Sequence, residues 1–95
     1  MNLTEEQLQL IGEYASNLMT WREIAILLGI PYKALLEEFL DEGSPATLSY
    51  QKGKTQTLLE IRRSIIGMAK KGSPQAEITA MSLIDHQKVN ETDIL

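Results

Sequence analysis

A chain of 95 residues with 43% apolar side chains and no cysteine has material for one core and none for disulfides or thiolate metal sites. Its net charge of −4 counts against a uniformly nucleic-acid-attracting surface, and no apolar run approaches the roughly 18 residues of a membrane span. No charged-then-apolar leader opens the sequence, so a cytoplasmic location without membrane contact is expected.

The first predicted helix runs from about Thr4 to Leu18. Thr4 caps it, Gln7 holds the capping-box position, and Leu3 can staple onto Leu8. Leu8, Ile11, Ala15 and Leu18 recur at helical spacing and form its expected core stripe. Thr20 then opens a second helix over about Trp21 to Leu28, with Glu23 three residues on repeating the capping-box spacing. Ile24, Leu27 and Leu28 supply its apolar face. Ala25 is the small residue four positions before Gly29, where two steeply crossing helices need close contact and a turn. A third helix is expected from Pro31 to about Asp41, with Leu35, Leu36 and Phe39 buried.

The order of small residue, Gly and then apolar residues from Thr20 to Phe39 resembles the helix-turn-helix family. Three short helices joined this way make a homeodomain-like trihelical region over residues 1–42. That reading places helix three in a DNA major groove, with Tyr32, Lys33 and, one turn on, Glu37 near base edges. Thr20, Trp21 and Arg22 would then meet phosphates. The competing reading is a plain packing solution, supported by the acidic end Glu37, Glu38, Asp41 and Glu42. Trp21 and Tyr32 likewise read either as stacking groups at a nucleic-acid surface or as half-buried anchors at helix starts.

Asp41-Glu42-Gly43-Ser44-Pro45 breaks the chain, with Ser44 as cap and Pro45 as first helical residue of a long fourth helix to about Lys71. Residues 50–72 carry a balance of +5, against −6 over residues 1–49 and −3 over residues 73–95. A local basic patch is thus compatible with an acidic protein. On a helical wheel Lys52, Arg63 and Lys70 line one face, and Lys54 adds to the cluster; these are the candidates for sequence-independent phosphate contacts. Leu58, Ile61, Ile65 and Met68 would face the core. Leu48, Leu59 and Ile66 form a second apolar stripe, which is either sandwiched inside the domain or used for self-association. Gly72 stops this helix and Ser73-Pro74 starts a short closing one to about Asp85 or further, in the same compact domain, with a polar tail fraying from about His86. The fold class is all-α.

No catalytic constellation or cofactor is expected. His86 is the sole histidine, and Gly53-Lys54 lacks the flanking glycine of a phosphate loop.

The ordered set Tyr50-Gln-Lys-Gly-Lys54, Leu59-Glu60-Ile61-Arg62 and Ala69-Lys-Lys-Gly72-Ser73-Pro74 resembles phage terminase small subunits, DNA-recognition parts of genome-packaging motors. With the helix-turn-helix, the likeness covers about residues 4–85. It implies a non-enzymatic protein that binds double-stranded DNA and works as an oligomer with a large ATP-hydrolysing partner. It carries DNA contacts onto Arg22, Tyr32 and Lys33, and assembly or extra DNA contact onto the helix bearing Lys52, Lys54, Arg62 and Arg63. The last helix lacks a lysine before Asp85, and only ten residues follow it, both departures from that pattern. A transcriptional regulator and a protein-interaction module with a vestigial helix-turn-helix are the alternatives.

Overall fold

The computed structural model describes residues 2–94, with side chains described through Gln87. Five α-helices follow in order: α1 Glu5–Ser16, α2 Trp21–Leu28, α3 Tyr32–Leu40, α4 Pro45–Lys70 and α5 Pro74–Ile94. No strand occurs among the described residues. The chain divides into two compact units, residues 1–58 and 59–95. The division falls inside α4, whereas the composition break of the sequence lies at Asp41–Pro45.

Local chemistry explains the helix starts. Thr4 and Thr20 both form full capping boxes: each hydroxyl accepts from the N–H three residues on, and Gln7 and Glu23 return a bond to the cap N–H. These bonds satisfy donors that the first helical turn leaves open. Pro31 stands at the N-cap of α3 rather than inside it, with no side-chain cap. Ser44 caps α4 by accepting from the Thr47 N–H at 3.1 Å. Both hydroxyls donate to the Glu38 carbonyl at 2.8 Å, which ties the end of α3 to the start of α4.

The core of the first unit joins Ile11 of α1, Trp21, Ile24 and Ala25 of α2, Leu35 of α3 and Ala46 of α4. Leu3, Leu8, Phe39 and Tyr50 pack against it. Two expected core residues fall outside. Leu18 is 47% exposed, because α1 stops at Ser16 and Leu18 turns the chain at φ 60°. Leu27 is 51% exposed, because Ile24 and Ala25 already fill the buried side of this two-turn helix.

The second unit contains the end of α4 and the whole of α5. Among its described side chains only Ala76 is buried. Ile61 and Met68, expected to face a core, are 42% and 53% exposed. A two-helix unit has too little second layer to cover them. The closing helix is also longer than expected. No Gly or Pro follows Pro74, so nothing in the sequence stops α5 at Asp85, and its backbone stays helical to Ile94.

Candidate nucleic-acid interface

The turn between α2 and α3 sets the site. Gly29 takes φ 69°, a left-handed conformation that a β-carbon would strain, and its N–H returns to the Ala25 and Ile26 carbonyls. The Ile30 N–H bonds the Ala25 carbonyl at 3.0 Å, closing the end of α2. With Ala25 buried and Leu35 fully buried, the two helices are held at a short, fixed connection.

This turn brings Arg22 of α2 to the first residue of α3. The guanidinium carbon lies 4.6 Å from the centre of the Tyr32 ring, within cation–π range. Arg22 and Lys33 are exposed and Tyr32 is half-buried, so the three form a basic and aromatic surface beside the turn. Glu37, also exposed, follows Lys33 by four residues and places a carboxylate one turn along the same face. The sequence indicated each of these residues singly. It did not indicate the Arg22–Tyr32 stack, which depends on how the turn folds α3 back.

Two residues expected at phosphates are committed elsewhere. Trp21 is only 7% exposed: its ring stacks on Tyr50 at 4.6 Å and tilts against Phe39 at 5.0 Å. That burial removes it from surface contact, and its indole N–H is buried without a partner. The anchor reading of Trp21 is the one realised. Thr20 spends its hydroxyl and its N–H on the cap with Glu23. Those bonds hold the Glu23 carboxyl below the ordinary carboxylate range, the Thr20 N–H contributing most.

The basic residues of α4 are dispersed. Lys52 lines an open groove of about 400 Å³ with Gln9 and Glu13 of α1. Lys54 lies 6.0 Å from the Tyr50 ring. Arg63 and Lys70 are exposed but belong to the second unit, as do Leu59 and Ile66, whereas Leu48 belongs to the first. Leu48, Leu59 and Ile66 are 58%, 45% and 42% exposed. The sandwiched reading of that stripe is therefore not realised within the chain.

No family model matches this chain, and neither a curated protein nor a solved structure matches it. Among the described residues no group of acidic, His or Cys side chains could hold a metal ion. No described helix is long and apolar enough to cross a membrane.

Proposed function

We propose that the chain is a non-enzymatic protein that binds double-stranded DNA through α2 and α3, used as a homeodomain-like helix-turn-helix. The observation that carries this reading is the surface beside the Gly29 turn, where Arg22 stacks on Tyr32 and Lys33 projects from the first turn of α3. Residues at the start of a recognition helix reach base edges, and those at the start of the preceding helix meet phosphates. Arg22 and Lys33 are the only basic side chains of residues 1–49, an otherwise acidic half, and the turn brings Arg22 onto Tyr32, the chain neighbour of Lys33. The resemblance of the sequence to phage terminase small subunits agrees with this reading and adds DNA packaging, with a large ATPase partner, as its biological setting.

The test is fluorescence anisotropy of a mixed-sequence duplex titrated with the protein at two salt concentrations. Non-specific binding with dissociation constants of about 10⁻⁴–10⁻⁶ M that weakens steeply with salt is expected. Lys33→Glu should weaken it several-fold without unfolding the chain, because it replaces an attractive charge with a repulsive one. No binding at low salt would sink the DNA reading. It would favour a protein-interaction module, for which the exposure of Ile26 (73%) and Leu27 on the outer side of α2 provides a docking surface.

A further inference from the structure

Glu37 is a carboxylate that the fold of α3 does not use. The side chain is exposed and lies past the middle of a helix running Tyr32–Leu40, where the helix dipole no longer favours an anion. Its neighbour one turn back is Lys33, but lysine before glutamate is the weaker order for a stabilising pair at this spacing. Of the other acids here, Glu38 is half-buried, the Asp41 carboxylate accepts the Gly43 N–H at 3.0 Å, and Glu42 lies beyond the helix.

Helical periodicity fixes where Glu37 projects. At about 100° per residue, Lys33 and Glu37 stand about 40° apart round α3, each about 160° from the fully buried Leu35. Both therefore project away from the core, on the side that enters a major groove in the DNA-binding reading. Along the axis, four residues span about 6 Å, less than two base-pair steps of about 3.4 Å. A carboxylate in that place selects by repulsion. Phosphates and the acceptor edges of guanine and thymine repel it. Adenine offers an amino donor beside its N7 acceptor, whereas the cytosine edge offers its N4 amino group without an acceptor.

We infer, resting on the DNA-binding reading, that Glu37 sets the base preference of α3. Its carboxylate accepts a hydrogen bond from the N4 amino group of a cytosine, within two base pairs of a guanine whose O6 and N7 Lys33 contacts. Every other placement leaves the carboxylate against acceptors or phosphates. The residue that gives the preference therefore also lowers affinity for unmatched DNA. Net charge alone would count Glu37 against DNA binding; its position makes it part of the recognition surface.

The experiment is selection of duplexes from a pool with a randomised centre, by the full chain and by Glu37→Gln, followed by anisotropy on the selected duplex and a mixed-sequence one. The parent should enrich a cytosine within two base pairs of a guanine, and replacing that cytosine should weaken its binding roughly fivefold to hundredfold. Glu37→Gln should enrich adenine at that position, because an amide pairs with adenine N6 and N7, and should bind mixed-sequence DNA several-fold more tightly. Glu37→Ala, with neither charge nor amide, should show the same gain on mixed-sequence DNA and no preference at that position. Emission of Trp21, the sole tryptophan and a core residue, verifies that each variant is folded. Enrichment of the same base by the parent and Glu37→Gln overturns the inference. So does a parent that binds without preference, or weaker binding of mixed-sequence DNA by Glu37→Gln. No binding of mixed-sequence DNA by the parent at low salt is a different result, which sinks the DNA reading itself and this inference with it.

Discussion

The Trp21 indole stacks on the Tyr50 ring with centroids 4.6 Å apart and planes 23° from parallel, which fixes α2 against the first turns of α4. Phe39 completes the cluster from α3, meeting Tyr50 edge-on at 6.2 Å. Three helices therefore share one aromatic contact, and its loss should loosen all three. Tyr50→Ala is expected to cost about 3 kcal/mol, as for other large aromatic truncations, and to shift Trp21 emission to the red as water reaches it. Tyr50→Phe keeps the stack and should cost less than about 1 kcal/mol. Urea titration of both variants checks this; equal midpoints would show that the stack contributes nothing.

The elements of the first unit were legible because their signals are local. Two capping boxes, the Gly29 turn and the Ser44-Pro45 start each depend on residues within four positions of one another. The aromatic cluster was not legible, because Trp21, Phe39 and Tyr50 are far apart in sequence and come together only after three helices pack. The same limit applies to the Arg22–Tyr32 stack. The second unit misled in another way. Its 3.6-residue apolar period correctly gave helices, but period alone does not say whether a stripe faces its own chain or a different one, and Ile61 and Met68 remain exposed.

Gly53 is buried where α4 passes α1, and a β-carbon there would clash with the carbonyl of Gly12. That neighbour is helix backbone and does not rotate away as a side chain would. Gly53 therefore serves close packing of α4 on α1. Gly53→Ala should force the helices apart and cost at least 1–3 kcal/mol, the usual range for overpacking, despite alanine's better helix propensity. Thermal unfolding checks the sign. A variant more stable than the parent would mean that propensity outweighs the contact.

Leu18 holds φ 60° while 47% exposed, so a non-glycine residue sits in the left-handed region with little burial in return. That conformation costs a leucine roughly 1–2 kcal/mol relative to glycine. Glycine's larger unfolded-state freedom takes back part of the gain. Leu18→Gly is therefore expected to stabilise the chain by about 0.5–1 kcal/mol in a denaturant titration. A net loss would assign Leu18 a packing role that its exposure does not suggest.

Glu23 gives the first unit a defined acid dependence. Its carboxyl accepts the Thr20 N–H at 2.9 Å and lies in the first turn of α2, where partial positive charge favours an anion. The folded-state pKa is lowered from the ordinary 4.5, first by the Thr20 backbone bond and then by the Thr20 hydroxyl. A lowered folded value means that the unfolded chain binds the proton more readily. The stabilisation is therefore complete above the unfolded value and is lost as pH falls through the folded one. Glu23→Gln keeps an acceptor for the Thr20 N–H but removes the charge. The variant should melt below the parent at neutral pH, and the gap should close as pH falls through the lowered folded value, below which the parent carboxyl is neutral too. Melting curves at four or five pH values measure it directly. A gap of constant size across the whole acid range in which the chain stays folded would mean that the cap works through hydrogen-bond geometry alone, with no contribution from the charge.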